Sequence, residues 1–152
     1  MDDTKIRIMY AAMKAVRQYG LEGVRVQNVS SLAGISPGAL YRYFDSKEQL
    51  ITECFTYVDR QAAMIFEQLT FQPQMLRTDP IGAVRQLWQP YFRFWVARPD
   101  ETVFYYRFRD SASFPEYDRN RDVSHFEPFV EMVRQFRSMF PALVWINQDM
   151  LW

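Results

Sequence analysis

The sequence predicts an all-α fold. Glycine and proline divide its 152 residues into segments of helical length. Within these segments apolar residues recur three and four positions apart, and strict apolar/polar alternation is nearly absent. We therefore expect a helix-turn-helix domain of three helices in residues 1–48, joined through a long helix to a second helical domain in residues 49–152.

The first helix is predicted between Thr4, a residue type that caps helix N-termini, and Gly20, a residue type that ends helices. Its apolar face carries four residues at helical spacing: Ile6, Met9, Met13 and Val16. This pattern indicates a helix that packs on one side against other helices.

Two shorter helices follow, separated by a short turn. The second covers residues 26–33 and stops at Gly34. The third has Ser36 as N-cap and Pro37 at its first position, and it extends to about Phe44. Two short helices joined by a tight turn that contains glycine form the layout of a helix-turn-helix.

The third helix is predicted to have an inner and an outer face. Leu40 and Phe44 lie four residues apart and should point toward the apolar side chains of the second helix, which are Val26, Val29 and Leu32. The outer face then carries small and polar residues: Gly38 and Arg42 at its centre, Ala39 and Tyr41 beside them, and Tyr43 at its edge.

The remaining helices are longer. The fourth opens at Ser46, where Gln49 completes a capping box, and runs to about Leu69. After a loop beyond Pro73, Asp79-Pro80 starts a helix that we expect to kink at Pro90 and to end at Pro99. A short helix over residues 100–109 leads to a polar loop over 111–122, and Ser124 with Glu127 caps a last helix.

Composition and charge exclude several classes of protein. The net charge is zero, and residues 1–50 hold only a slight basic excess, with seven Lys and Arg against five Asp and Glu. Apolar runs are too short to cross a bilayer, and charged residues recur through the first 20 positions, unlike a signal peptide. Together with the single cysteine, Cys54, these features predict a cytoplasmic protein with no membrane contact.

An enzyme is a rival interpretation that the sequence does not favour. The one histidine, His125, lies near Asp122 and Glu127, and Cys54 has no histidine close to it in sequence. No phosphate loop, metal-ligand cluster or nucleophile motif accompanies them. We therefore predict no catalytic residue, no metal site and no cofactor, and we interpret Cys54 as a small core hydrophobe.

The outer face of the third helix suits a DNA groove. Glycine and alanine allow a backbone to approach closely, the guanidinium of Arg42 can read guanine O6 and N7, and the hydroxyls of Tyr41 and Tyr43 can bind phosphates. The alternative is that these side chains only solvate a short helix. Their combination with the tight turn and the inward-facing pair favours DNA contact.

The first 55 residues resemble the N-terminal DNA-binding region of the TetR (tetracycline repressor) family of bacterial transcription regulators. The matching pieces are Gly20, residues 26–33, Gly34-Ile35-Ser36, Gly38-Ala39-Leu40-Tyr41, Tyr43-Phe44 and Ser46-Lys47-Glu48 followed by Leu50. The remainder is similar only as a helical regulatory domain. Arg25 departs from the family pattern, which usually has a threonine capping the second helix.

The resemblance implies a role for each matching residue. Those at or near base edges would be Gln27, Pro37, Gly38, Ala39 and Arg42. Those on phosphates would be Tyr41, Tyr43 and Lys47, with Arg25 as a further phosphate candidate.

The resemblance also implies a homodimer on a palindromic double-stranded DNA operator, acting as a repressor that a small effector releases. Two half-sites ~34 Å apart would recover the affinity that one weakly basic unit lacks. Because the last two helices of the family form the dimer, a chain that stops at Trp152 is expected to be truncated. A helical interaction module that does not bind DNA stays open as the alternative.

The second half is rich in aromatic residues and is expected to hold a largely apolar effector. The chain has 13 Phe, 9 Tyr and 4 Trp, and seventeen of these lie from Trp88 onward. The candidate ligand-binding residues are Trp88, Phe92, Trp95, Phe104, Tyr105, Phe108, Phe126, Phe129 and Val133. Apolar stripes at helical spacing are also typical of an ordinary core, and that interpretation stays open.

Overall fold

The structure is a computed structural model, which describes residues 3–68 and 74–120 and, beyond them, helical backbone at positions 127, 130, 131, 134 and 138. In the two described ranges all regular structure is helical, which confirms the predicted fold class. The helices are α1 Asp3–Tyr19, α2 Val26–Ala33, α3 Pro37–Leu40, α4 Lys47–Glu67, α5 Met75–Thr78, α6 Pro80–Val96, α7 Pro99–Arg109 and α8 Phe114–Asn120. Packing divides the chain into two compact units, Met1–Asp59 with Trp95–Arg121 and Arg60–Phe94 with Asp122–Trp152.

In the first unit, α1 packs against both α2 and α7. Its buried residues are Ile8, Met9, Ala11, Ala12, Met13, Ala15 and Val16. The helix begins at Asp3, so Thr4 lies inside it rather than at its cap, and it ends before Gly20, whose φ of +77° is in the left-handed region. Alanine at three of the seven buried positions leaves room for the neighbouring helices to approach closely.

Polar contacts between α7 and the end of α1 supplement this packing. Arg107 Nη1 donates a hydrogen bond to the Val16 carbonyl at 2.5 Å, and Arg17 forms an ion pair with Asp100 at 2.8 Å. The Val16 carbonyl, in the last turn of α1, also accepts the Gly20 N–H at 2.9 Å. Arg107 is therefore a second donor to this carbonyl and links α7 to the C-terminal end of α1.

The turn between α2 and α3 is fixed by its backbone hydrogen bonds. Gly34 has φ +66° and ψ +38°, and its N–H donates to the Ser31 carbonyl, while the Ile35 N–H donates to the Ser30 carbonyl. This pair of bonds is the Schellman motif, which requires a left-handed residue after the helix and so favours glycine. The Ser36 side chain then accepts the Ala39 N–H and caps α3, as predicted.

The start of α4 is doubly capped. Ser46 Oγ accepts the Gln49 N–H at 3.0 Å, and Gln49 Oε1 accepts the N–H of Asp45. The predicted capping box is confirmed, although the reciprocal bond reaches the residue before the cap rather than the cap itself. From this fixed start, α4 buries Leu50, Cys54, Phe55 and Val58 in the first unit.

Aromatic rings from α7, and from α8 after it, surround Phe55. The ring centroids of Tyr105 and Phe108 lie 4.6 and 4.8 Å from that of Phe55, and those of Tyr117 and Phe114 lie 5.1 and 5.7 Å away. Edge and offset contacts at these distances are the favourable arrangements of aromatic pairs. Phe55 is thus the centre of the aromatic core of this unit.

The second unit is described in its α4, α5 and α6 portions. Asp79 Oδ1 accepts the Gly82 N–H at 2.9 Å, and Pro80 is the first residue of α6, so the predicted start of this helix is confirmed. Phe66 packs on Tyr91 with ring centroids 5.3 Å apart. Pro90 lies inside the helix, as expected.

Four predicted boundaries were wrong. α3 ends at Leu40 rather than near Phe44, because residues 41–43 form turns. The loop expected after Pro73 contains the short helix α5, and the loop expected at 111–122 contains α8. Pro99 begins α7 instead of ending α6, which stops at Val96, because proline at a first helical position loses no hydrogen bond.

Candidate nucleic-acid interface

The inner face of α3 is buried as the sequence predicts. Leu40 is 0% exposed and Phe44 is 1% exposed. Their expected partner Leu32 is instead 38% exposed, and the buried residues of α2 are Val29, Ser30 and Ala33. The prediction for Leu32 was wrong because three-residue steps drift around a helix, and the stripe that α2 buries turns toward Ser30 and Ala33.

The outer face of α3 and of the turn after it is open to solvent. Pro37, Gly38 and Arg42 are exposed, and Tyr41 is 53% exposed. Ala39 and Tyr43 are half-buried, which places them at the edges of this surface. We call the set Pro37, Gly38, Ala39, Tyr41, Arg42 and Tyr43 the outer face.

At the centre of the outer face, Gly38 leaves the backbone without a covering side chain. A methyl group added at its Cα would meet no atom within 4 Å, so nothing in the protein demands a glycine there for reasons of space. Glycine inside a helix costs about 1 kcal/mol relative to alanine. The position therefore gives up stability for an open backbone, which is useful where another molecule approaches closely.

The α2 candidates lie beside the start of that helix. Arg25 occupies the N-cap position with extended backbone, φ −124° and ψ 150°, and makes no side-chain capping hydrogen bond. The helix nevertheless begins at Val26 as predicted, and the side chains of Arg25 and Gln27 are both exposed. Because its guanidinium caps nothing, Arg25 is available to an external anion.

Lys47 follows the α4 cap and is the remaining candidate. Its Nζ lies 3.9 Å from Glu48 Oε1, and both side chains are partly or largely exposed. A pair of adjacent exposed residues at this distance is weak, so the ammonium group can exchange the carboxylate for a phosphate at little cost.

The candidate ligand-binding residues fall into different parts of the chain. Trp95, Phe104, Tyr105 and Phe108 are buried in the first unit, where Tyr105 also donates a hydrogen bond to the buried carboxylate of Asp59 at 2.9 Å. Trp88 and the 61% exposed Phe92 belong to the second unit. Phe126, Phe129 and Val133 lie outside the described residues, so a shared ligand site stays a prediction.

Cys54 and Arg109, two reactive or charged side chains that an active site could use, are packed in the protein interior and on aromatic rings, respectively. Cys54 is fully buried, its thiol lies 3.6 Å from the Met9 carbonyl, and burial raises the pKa of that thiol above its ordinary value, as expected for a core hydrophobe. Arg109 lies over the rings of Tyr105 and Phe114. His125 is outside the described residues, and the described ones contain no group of three potential metal ligands.

The sequence interpretation missed the polar side chains of α8. Glu116, Tyr117 and Asn120 on this helix and Ser113 just before it line a groove with residues of α4. The polar composition of the segment favours a loop, yet Ser113 and Glu116 have the spacing of a capping box and Pro115 sits in the first turn. Those capping signals could have identified the helix.

Comparison with known proteins agrees with this geometry. Residues 8–54, which span most of α1 to the first part of α4, match the family described as bacterial regulatory proteins, tetR family. Residues 8–54 are thus similar to the N-terminal region of tetR-family regulators. No helix in the described residues of the chain is long and apolar enough to cross a membrane.

Two curated proteins are similar to this chain. It is 28% identical over 99 residues to the HTH-type transcriptional repressor NicS of Pseudomonas putida, a match that covers 65% of this chain and 45% of NicS. It is 37% identical over 54 residues to YhgD, an uncharacterized HTH-type transcriptional regulator of Bacillus subtilis, covering 36% of this chain and 28% of YhgD. The chain therefore matches less than half the length of either relative.

Solved structures share the fold. A TetR family transcription regulator from Marinobacter aquaeolei VT8 superposes with a TM-score of 0.69 at 23% identity, covering 89% of this chain and 67% of that one. A TetR-family transcriptional regulator from Haemophilus influenzae gives a TM-score of 0.67 at 19% identity, with 88% and 71% covered. These likenesses extend well beyond α4 and show that the helices after it also follow the fold of those proteins.

Proposed function

We propose that this chain is a transcriptional regulator of the TetR family that binds double-stranded DNA through its outer face. The observation that carries the proposal is the division of α3 into two sides. Leu40 and Phe44 are sealed in the core, while Gly38, Tyr41 and Arg42 are open to solvent. The short exposed helix can enter a major groove because Gly38 has no side chain to keep its backbone away from the bases. The Arg42 guanidinium can then make paired hydrogen bonds to a base edge.

Each residue has a role in this proposal. Arg42 and Gln27 read base edges, because guanidinium and amide groups make paired hydrogen bonds to guanine and adenine. Pro37, Gly38 and Ala39 let the helix approach those edges. Tyr41, Tyr43, Lys47 and Arg25 bind phosphates and so fix the register of the protein on the duplex.

The regulator acts as a homodimer on a palindromic operator in the bacterial cytoplasm and represses transcription until a small, largely apolar effector binds. The similarity to NicS, which is named a repressor, supports repression over activation. The slight basic excess of residues 1–50 supports a dimer, since one unit offers few phosphate contacts and two half-sites combine their affinities.

A gel-shift assay with the inverted repeat nearest the gene tests the base-reading role. We expect Arg42→Ala to weaken binding by roughly 5- to 150-fold for each half-site, because losing one bidentate base contact costs about 1–3 kcal/mol. Arg93→Ala, which removes an exposed arginine of α6, is the matched control and should bind as the parent protein does. Equal binding by the Arg42→Ala and parent proteins would exclude Arg42 from base reading, and no binding by the parent protein would favour the interaction module that does not use DNA.

Salt dependence separates phosphate contacts from base contacts. Lys47→Ala should weaken binding to all sequences alike and reduce the slope of log affinity against log salt by about 0.9 for each subunit, or about 1.8 for the homodimer, since each subunit releases one counterion fewer. Tyr41→Phe removes a hydroxyl without a charge, so it should weaken binding and leave the slope unchanged. An unaltered slope in Lys47→Ala would remove Lys47 from the interface.

Effector response is tested by titrating candidate apolar ligands into the preformed protein–DNA complex. A ligand that releases DNA must bind the released form more tightly, with a coupling of about 1–3 kcal/mol, or roughly 5- to 150-fold in operator affinity. A ligand that binds the protein and leaves operator affinity unchanged is not the effector.

A further inference from the structure

A groove of about 520 Å³ lies in the first unit, outside the helix-turn-helix. One side is the first turn of α4, with Glu48 and Thr52, and the other side is α8, with Glu116, Tyr117 and Asn120. Phe108 of α7 completes the lining. The volume is within the range of sites that bind small organic molecules.

The aromatic part of the groove is held in place. The Tyr117 ring packs on Phe108 and Phe55, with centroids 5.6 and 5.1 Å away, and its hydroxyl lies 2.9 Å from Thr56 Oγ1. Phe108 is itself only 2% exposed. This side of the groove is therefore a preformed apolar surface, and a ligand does not have to order it on binding.

The polar lining offers hydrogen-bond acceptors, because internal bonds already use several of its hydrogens. The Thr52 hydroxyl donates to the Glu48 carbonyl at 2.9 Å, and Asn120 Nδ2 donates to the Glu116 carbonyl at 3.0 Å. The Thr56 hydroxyl donates to the Thr52 carbonyl at 3.1 Å, so the hydrogen of its bond with Tyr117 comes from the tyrosine. What remains toward the groove is the oxygen lone pairs of Thr52, Asn120 and the two glutamates, beside one N–H of Asn120 and the hydroxyl of Ser113, which also lines the groove.

The charged side chains that line the groove also favour a ligand with hydrogen-bond donors and a positive charge. Glu48 and Glu116 contribute two carboxylates, and none of the residues that line the groove is basic. Lys47 Nζ lies 3.9 Å from Glu48 Oε1, but this exposed pair is weak, so a ligand ammonium can take the place of Lys47. A ligand that complements this surface carries a positive charge, several N–H donors and an apolar body. Among small organic groups, a primary ammonium ion combines these properties, since –NH₃⁺ has three donors and no acceptor.

We propose that this groove binds a primary organic ammonium ion. The ammonium group lies among the carboxylates of Glu48 and Glu116, and the apolar body lies against the rings of Phe108 and Tyr117. The inference goes beyond the proposed function, because the binding can be measured with no DNA present.

Isothermal titration calorimetry of the whole protein with benzylammonium chloride at pH 7 tests the proposal. We expect saturable, roughly millimolar binding, in keeping with a small ligand in an open groove. Benzyltrimethylammonium, which has the charge but no N–H donor, should bind more weakly. Benzyl alcohol, which has no charge, should show no binding at the same concentrations.

Two variants on α8 locate the site. Glu116→Gln keeps the size of a surface side chain and removes its charge, and it should weaken benzylammonium binding about three- to tenfold. Asp118→Asn makes the same change of charge on the same helix at a residue that does not line the groove, so binding should be unchanged. Circular dichroism confirms that both variants are folded.

Three results would overturn the assignment: equal binding of benzyl alcohol and benzylammonium, equal effects of the two variants, or no saturation by benzylammonium up to tens of millimolar. The first would make the groove a purely apolar surface, and the second would reduce the effect to general attraction by a negatively charged helix. A failure of DNA binding in the gel shift would leave the calorimetric result intact, so the two proposals stand or fall separately.

Discussion

The α2–α3 pair and the α7–α8 pair belong to the same compact unit, yet they hold their places by different means. The first pair is joined through the left-handed Gly34 and buries small or aliphatic residues, such as Ala33 and Leu40. The second pair encloses large rings that stack around Phe55. The arrangement of α2 and α3 is fixed by the turn between them, whereas that of α7 and α8 is fixed by the packing of large aromatic side chains.

This difference explains which surface each pair can present. A pair fixed by backbone hydrogen bonds needs little of its own surface for packing, so the outer face of α3 remains free for another molecule. A pair fixed by rings commits its aromatic side chains to the interior and leaves its polar ones outside, as along the α8 side of the groove. Substitutions among the rings around Phe55 should therefore mainly lower stability, whereas substitutions on the outer face should mainly affect binding.

The largest expected effect is the loss of the central ring. Phe55→Ala should lower the free energy of unfolding by about 3–5 kcal/mol, because it removes a 0% exposed side chain and leaves a cavity among four rings. Urea denaturation followed by circular dichroism measures the change. The control Phe92→Ala, at a 61% exposed position, should change stability by less than about 0.5 kcal/mol. Comparable losses in the two variants would show that the rings around Phe55 are not a packed core.

An intermediate effect is expected at the two glycines of the helix-turn-helix, with opposite signs. Gly34→Ala should destabilise the protein by roughly 1–2 kcal/mol, because a side chain is strained at φ +66°. Gly38→Ala should raise stability by up to about 1 kcal/mol, since the added methyl group meets nothing and alanine favours helix. Denaturation curves measure both changes.

The Gly38→Ala variant also tests whether the outer face contacts DNA closely. If the outer face contacts DNA, Gly38→Ala should weaken operator binding although it stabilises the fold, because the methyl group separates the helix from the groove. A stabilised Gly38→Ala protein that binds its operator at full strength would contradict close contact at this position.

The smallest expected effect is at the ion pair that joins α1 to α7. A double-mutant cycle with Arg17→Met and Asp100→Asn should give a coupling of about 0.2–1 kcal/mol, because both side chains are partly exposed and water screens the attraction. The coupling should fall further in 1 M salt. A coupling that is larger and insensitive to salt would mean that this contact is shielded from solvent.

The helix-turn-helix was predictable because its signals are local. Gly34, Ser36 and Ser46 act on backbone groups within a few residues, so the sequence alone locates the turn and the caps. The end of α3 was harder to predict, because the backbone tightens after Leu40 into bonds from Arg42 to Ala39 and from Tyr43 to Leu40. Phe44 still points inward, so the predicted face is right although the helix is shorter.

The aromatic half was less predictable because its order depends on contacts distant in sequence. The rings of Phe55 and Tyr105 stack although the two residues are 50 positions apart in the sequence, and no local sequence pattern predicts this contact. For the same reason the spacing of Phe104 and Phe108 predicts an apolar face but does not say whether that face meets a ligand or other side chains. The contact from the Arg107 guanidinium to the last turn of α1 spans 91 positions and is likewise invisible in any local pattern.

The contact between Arg107 and α1 has a consequence for attempts to isolate the helix-turn-helix. A fragment ending at residue 54, where the family match ends, would lack both Arg107, which donates to the Val16 carbonyl, and Phe55, whose ring packs on Phe108. The first unit thus joins α1 and α4 to residues far along the chain, in α7 and α8. We expect that moving the proposed DNA-contacting surface onto another regulator requires both stretches together.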